Sequence, residues 1–165
     1  MPAHDHQTRG RASLKVGVIT ASDSRTPETD ESGKLIRALL EAAGHRVDYY
    51  EILPDDREKI SAALVNNLPN LDAIIVNGGT GITARDGTTE VVKSVLDKEL
   101  EGFGELFRML SYQEIGAAAM MSRAIAGVRH GKFVAAIPGS PDACRLAMDK
   151  LLIPELGHIT YLLSL

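Results

Sequence analysis

A chain of 165 residues with net charge −4, 44% hydrophobic and 24% charged side chains has the composition of an ordinary globular domain, long enough to bury a core. It offers no basic face for nucleic acid, and with aromatics at 4% and no tryptophan it makes a poor base-stacking platform. No apolar run approaches the ~20 residues of a membrane span, and the polar opening MPAHDHQTRGRAS lacks the apolar centre of a signal peptide, so no membrane association is expected.

Residues 1–13 read as a flexible tail, in which His4 and His6 are solvated rather than a metal pair. LKVGVIT (14–20) reads as a buried strand that enters a polar stretch. Ser32 is placed to cap a helix carrying Leu35, Ile36, Leu39 and Leu40, and Gly44 stops it. HRVDYYEIL (45–53) is a second strand closed by Pro54, after which Asp55 or Asp56 caps a helix carrying Ile60, Leu64 and Leu68. DAIIVN (72–77) is a third strand; beyond its loop, Thr88 or Thr89 caps a helix with Val91, Val92, Val95 and Leu96 on its buried side. Residues 101–123 read as short helices, and AIAGVRHGKFVAAIPGSP as a hairpin about His130-Gly131 on the sheet's edge. PDACRLAMDKLLIPEL is a last helix, with Pro141 in its first turn and Cys144 as a buried thiol suited to a reducing, cytoplasmic setting. Three successive strand–loop–helix units predict a single α/β domain over 14–165, a three-layer sandwich whose mostly parallel sheet is covered by helices on both faces.

The loop NGGTGITARDGTTE (77–90) holds the densest chemistry. A Walker loop is excluded, because Thr83 stands where its second glycine belongs and no lysine follows before Lys93. Gly79, Gly81 and Ala84 match G-x-G-x-x-A, yet they follow the third strand rather than the first, and Arg85-Asp86-Gly87 intervenes before the helix. What remains is an anion cradle of backbone N–H groups ahead of a helix N-terminus. Asp86 beside such a cradle calls for a cation between carboxylate and phosphate, and Mg²⁺ is the common case. Asp55 or Asp56, after the second strand, would reach the same rim if the strands run parallel, and either could equally be a simple helix cap. Two further loops open there: Ser22 and Ser24 after the first strand, and Gly139 and Ser140 ahead of the last helix.

GGTG followed by RDGTTE, then EGFGELFRMLSYQEIG, SRAIAGV and IPGSPDACRLAMDKLLIPEL, closely resembles the molybdenum cofactor biosynthesis protein B family, over about residues 14–163. That family is related to the molybdopterin adenylyltransferases. The resemblance implies a Rossmann-like molybdopterin-binding α/β fold, a trimeric or hexameric assembly and molybdopterin as ligand. In active members, AMP passes from Mg·ATP to the molybdopterin phosphate with release of pyrophosphate, and the adenylylated product goes on to a molybdenum-insertion protein. Position by position, the resemblance implies Asp55 and Asp86 as the catalytic, Mg²⁺-holding pair, with Asp55 matching better than Asp56. It also implies Ser22, Asp23, Gly78, Gly79, Thr80, Gly81, Ser111, Gly139 and Ser140 around the pterin and nucleotide, although the spacing from Ser111 to Arg123 is one residue longer than in the A-type relatives. Some B-type members lack the proline–aspartate after the second strand or the arginine before the loop aspartate. This chain has both, as PDD and ARD, so an active enzyme is expected, with a non-catalytic molybdopterin-binding scaffold as the alternative.

Overall fold

The computed structural model describes Gly10 and residues 13–165, so the expected tail, with His4 and His6, lies almost wholly outside the described residues. Six strands form one sheet: β1 (Lys15–Ala21), β2 (Arg46–Leu53), β3 (Ala73–Asn77), β4 (Lys98–Glu99), β5 (Ile125–Arg129) and β6 (Lys132–Ile137), in the order β2-β1-β3-β6-β5-β4. β2, β1, β3 and β6 are mutually parallel, whereas β5 runs antiparallel to β6 and to β4. The helices are α1 (Glu31–Ala42), α2 (Arg57–Asn67), α3 (Thr88–Val95), α4 (Glu101–Ile115), α5 (Pro141–Ala147) and α6 (Ile153–Leu163).

Strand alternation divides the core in two. Val16, Val18, Ala73, Ile75, Phe133, Ala135 and Ile137 face a layer that includes Ile36 and Leu40 of α1, Phe107 of α4, Leu146 of α5 and Leu156 of α6. The intervening residues Ile19, Ile74, Val76, Val134 and Ala136 face Ile60 and Leu64 of α2 and Val91 and Val92 of α3. A strand buried on both faces reads as an apolar run rather than an alternation, which is why β3 opens AIIV; its last residue, Asn77, is buried but hydrogen-bonded through Nδ2. The three-layer α/β sandwich expected from the sequence is therefore the one observed.

Several local readings are corrected. Asp30, not Ser32, caps α1: its Oδ1 accepts from the Gly33 amide at 3.0 Å, while the Ser32 hydroxyl donates to the Gly139 carbonyl at 2.6 Å. Neither Thr88 nor Thr89 caps α3; Gly87 holds that position, and the Thr89 hydroxyl instead donates to the Arg123 carbonyl. Residues 101–115 form one helix followed by a 3-10 stretch, Gly116–Met121. The hairpin does turn at His130-Gly131, both with positive φ, but β6 lies inside the sheet against β3, and the two-residue β4 forms that edge. The last helix is interrupted by a π-turn at Met148–Leu152, where Pro154, in the first turn of α6, has no amide to continue the i→i−4 ladder.

Candidate functional site

The parallel strands deliver the loops after β1, β2, β3 and β6 to one rim. The sheet order reverses beside β1: the chain goes from β1 to β2 on one side, then crosses to β3 on the other. Crevices for ligands in such sheets open at this reversal, beyond the carboxyl ends of the strands.

The glycine loop leaves β3 by passing extremely close to its neighbours. Gly78 has φ +94°, and a Cβ there would lie 2.3 Å from the Ala21 carbonyl oxygen; its amide donates to Ile137 O at 2.9 Å. Gly79 has φ +71°, and a Cβ there would meet Thr88 Oγ1 at 2.2 Å and Asp55 Oδ1 at 3.2 Å. Gly139, from the loop after β6, packs so that its Cβ would be 3.1 Å from Gly78 Cα. The loop thus threads between the ends of β1 and β6 through a gap only glycine can fill. Among the described residues no hydrogen bond takes up the N–H groups of Gly79, Thr80 or Gly81. Consecutive free amides around positive-φ glycines make a concave nest for an anion.

The carboxylates converge on this nest. Asp56 caps α2 by accepting from the Lys59 amide at 3.0 Å, which leaves Asp55 for the crevice. Asp55 Oδ1 is hidden from solvent and has no hydrogen-bond partner. Burial raises the Asp55 pKa, and the nearby charges of Asp23 and Asp86 raise it further. Asp86 Oδ2 accepts from the Thr83 amide and hydroxyl, both at 2.8 Å, and lies 2.7 Å from where a Gly81 Cβ would sit. Asp23 accepts from the Asp55 amide at 3.0 Å and takes a two-pronged bond from Arg85, Nη2 to Oδ2 at 2.7 Å and Nε to Oδ2 at 3.1 Å. The Arg85 guanidinium holds the Asp23 carboxyl below its ordinary range. Arg85 therefore ties the glycine loop to the loop after β1. Asp55, Asp56, Arg57, Glu58, Ala84 and Arg85 line an open cleft beside it.

The remaining expected residues divide. The Ser22 amide donates to Leu53 O at 2.8 Å, and its hydroxyl accepts from the amides of Ser24 and Arg25, so it shapes the loop after β1. Thr80 is buried, and Ser140 caps α5 by accepting from the Ala143 amide at 3.2 Å. Ser111 sits on the buried face of α4 with Gly104 and Phe107, and none of the hydrogen bonds that join the rim loops involves it. Among the described residues, no group of three or more His, Cys, Asp or Glu side chains is arranged to hold a metal ion. A dedicated protein cage is absent from that set; a carboxylate pair completed by ligand phosphate is the arrangement Mg²⁺ commonly uses.

Three features of the rim have no role assigned by the motifs. Beneath it lies a buried polar knot: Thr20 Oγ1 donates to Asp30 Oδ2 at 2.7 Å, Asn77 Nδ2 donates to Thr20 Oγ1 at 2.9 Å, and the Tyr50 hydroxyl donates to Asp30 Oδ2. Burial and the Asp30 carboxylate push the Tyr50 phenol up to about 12. The knot ties the ends of β1, β2 and β3 to the start of α1. Thr88, wholly buried, leaves Oγ1 without a partner beneath Gly79. Arg123 reaches into the glycine loop and bonds its carbonyls. Asp30 carried a local signal, as a capping residue three positions before Gly33; the contacts that bring Tyr50, Asn77 and Arg123 to the rim are distant in sequence.

Similar proteins share this architecture. Residues 17–158 match the family profile described as "Probable molybdopterin binding domain". The molybdenum cofactor biosynthesis protein B of Bacillus cereus is 50% identical over 164 residues, which cover 98% of this chain and 97% of that protein. A crystal structure of a molybdenum cofactor biosynthesis protein B superposes with a TM-score of 0.90 at 53% identity, covering 92% of this chain and 96% of that one. The tungsten cofactor synthesizing protein MoaB of Pyrococcus furiosus superposes with a TM-score of 0.82 at 39% identity, covering 90% and 96% respectively. The crevice at the sheet's reversal, with its glycine nest and paired aspartates, is that of a chain belonging to the molybdenum cofactor biosynthesis protein B family.

Proposed function

We propose that this protein acts in molybdenum cofactor biosynthesis by binding molybdopterin at the rim crevice and adenylylating its terminal phosphate with Mg·ATP. The observation that carries this reading is the juxtaposition of free loop amides with an unpartnered, desolvated Asp55 carboxylate and with Asp86. A cation held between acidic groups crowded against an anion nest relieves their mutual repulsion and links them to a bound phosphate.

The terminal phosphate oxygen attacks the α-phosphorus of ATP, a new P–O–P bond forms, and the bond to the β-phosphate breaks to release pyrophosphate. No side chain need form a covalent intermediate, so the protein's work is positioning and charge compensation. The amides of Gly79, Thr80 and Gly81 bind phosphate oxygens. Asp55 and Asp86 are the residues suited to hold Mg²⁺; the buried, unpartnered Oδ1 of Asp55 supports this fit. Bound there, Mg²⁺ would neutralise charge on the phosphates and on the departing pyrophosphate. Arg85, paired with Asp23, supplies a guanidinium that bridges two rim loops. Ser22, Gly139 and Ser140 shape the crevice walls, and Ser111 is assigned to the ligand on the resemblance alone.

We further place the exposed apolar side chains Leu106, Met109, Tyr112 and Ile115 of α4, with Met120 and Met121, in an interface between copies of a trimer or hexamer. The buried thiol of Cys144 accords with a cytoplasmic location. A molybdenum-insertion protein would take the product.

The test is incubation of the protein with molybdopterin and Mg·ATP, followed by chromatography for adenylylated pterin and pyrophosphate. Asp86→Ala and Asp55→Ala are expected to lose turnover by a factor of about 100 or more while pterin binding persists. Pterin binding by the wild type without pyrophosphate release would identify the alternative, a non-catalytic molybdopterin-binding scaffold.

A further inference from the structure

The glycine loop is held in shape by a residue far from it in sequence. Between Gly78 and Thr88 the main chain makes few bonds of its own: Asp86 N to Thr83 O at 3.1 Å, and Thr88 N to Gly79 O at 3.0 Å. The carbonyls of Thr80, Gly81 and Asp86 lie outside that set, and all three find donors on Arg123. Its amide donates to Thr80 O at 3.1 Å, its Nε to Gly81 O at 2.8 Å and its Nη2 to Asp86 O at 3.3 Å. Glu90, in the first turn of α3, pairs with Nη1 and, at 3.4 Å, with Nη2, while the Thr89 hydroxyl donates to Arg123 O at 2.9 Å. One guanidinium fork thus spans both arms of the loop and is anchored to the helix that follows it.

We propose that Arg123 is the positioning residue of the phosphate nest, with Glu90 as its anchor. The inference rests on the functional reading above, which makes the loop a phosphate site. Arg123 does not touch the ligand in this proposal. Its main-chain amide holds the Thr80 carbonyl, whose peptide unit carries the Gly81 N–H, and its guanidinium holds the Gly81 and Asp86 carbonyls, fixing the backbone that follows the nest and the segment that carries Asp86. The planar fork is what the arrangement needs, because Nε, Nη1 and Nη2 each meet a different acceptor; the three donors of lysine all sit on one nitrogen, which cannot reach those separated positions together. The side chain is about one-third exposed, so its removal opens no cavity in the core.

The experiment compares wild type with Arg123→Ala, Arg123→Lys and Glu90→Gln by amide hydrogen exchange and by adenylyl transfer from Mg·ATP to molybdopterin. Loss of the fork is expected to accelerate exchange about tenfold or more at the hydrogen-bonded amides of the loop, Thr83, Asp86 and Thr88, while β1, β3 and β6 keep their protection. Transfer by Arg123→Ala should fall about tenfold to a hundredfold in kcat/KM. Arg123→Lys should behave like the alanine variant, and millimolar guanidinium should restore part of both losses in Arg123→Ala. Unchanged exchange at Thr83, Asp86 and Thr88, or a loss of protection spread evenly through the sheet, overturns the proposal. Restoration by lysine but not by guanidinium overturns it too. Faster loop exchange in a protein whose wild type transfers no adenylyl group would leave the clamp standing and remove the functional reading, so the two failures are distinguishable.

Discussion

Replacing Gly78 by alanine tests whether the loop's path is dictated by steric necessity. The residue has φ +94°, and a Cβ would lie 2.3 Å from the Ala21 carbonyl oxygen and 3.3 Å from the Ala21 carbonyl carbon. The obstacle is the backbone at the end of β1, inside a run of parallel pairing from Lys15 to Ala21 against β2, so no side-chain rotation relieves it. Occupying that region of φ costs an L-residue about 1–3 kcal/mol, and forcing extra atoms into a packed site costs about 1–3 kcal/mol more. The sum, about 2–6 kcal/mol, corresponds in a chain of this size to a fall in Tm of about 4–24 °C. Gly102 is the internal control: it lies in the first turn of α4, where a Cβ would find nothing within 4 Å. Gly102→Ala should be neutral or stabilising by up to about 1 kcal/mol. Calorimetry with urea titration at matched m-values separates the two. A Gly78→Ala protein within about 0.5 kcal/mol of wild type would refute the steric account, since that is the spread of an ordinary surface change.

Asp55→Asn addresses the raised carboxyl. A folded pKa above the unfolded one favours the protonated state, so the group's stabilising contribution is complete below the unfolded pKa and is lost as pH rises through the folded one. At neutral pH the charged Asp55 therefore destabilises the metal-free fold, and Asp55→Asn should raise its Tm there, with the advantage disappearing in acid; saturating Mg²⁺ should cancel it in favour of the wild type. Asp30→Ala removes a helix cap and leaves the Thr20 and Tyr50 hydroxyls without their acceptor, and urea denaturation should register a loss of about 2–4 kcal/mol. Cys144, wholly buried and with its thiol pushed up to about 12 by burial, should resist a disulfide reagent at pH 8 until denaturant is added; prompt labelling of the native protein would contradict that burial.

Much of the architecture was legible in local pattern. β3 could be identified because a strand covered on both faces has no polar face to show, and the capping preference of the PDD doublet left one aspartate over for chemistry. The failures share a cause. Ser32 and Asp30 are equally good caps by composition, and the hydroxyls of Thr20 and Tyr50, arriving from two different strands, select Asp30. β4 is too short to carry a period, and it exists because β5 offers an edge for it to pair with. Arg123 lies in the SRAIAGV segment, which gives it no role by itself; its importance comes from bonds to residues some forty positions earlier.

The amino-acid order was enough to establish the identity of the elements and the chemistry at their ends: apolar strands, capped helices, glycines that admit positive φ, and two aspartates placed after successive strands. These follow from short-range sterics and hydrogen bonding, which neighbouring residues settle among themselves. Tertiary packing selected which aspartate went to the crevice, what became of Arg85, and how the glycine loop is held. Parallel pairing brings the ends of β1, β2, β3 and β6 to one rim, and only there do Asp23, Asp55, Asp86 and Arg85 come close enough for their charges to act on one another.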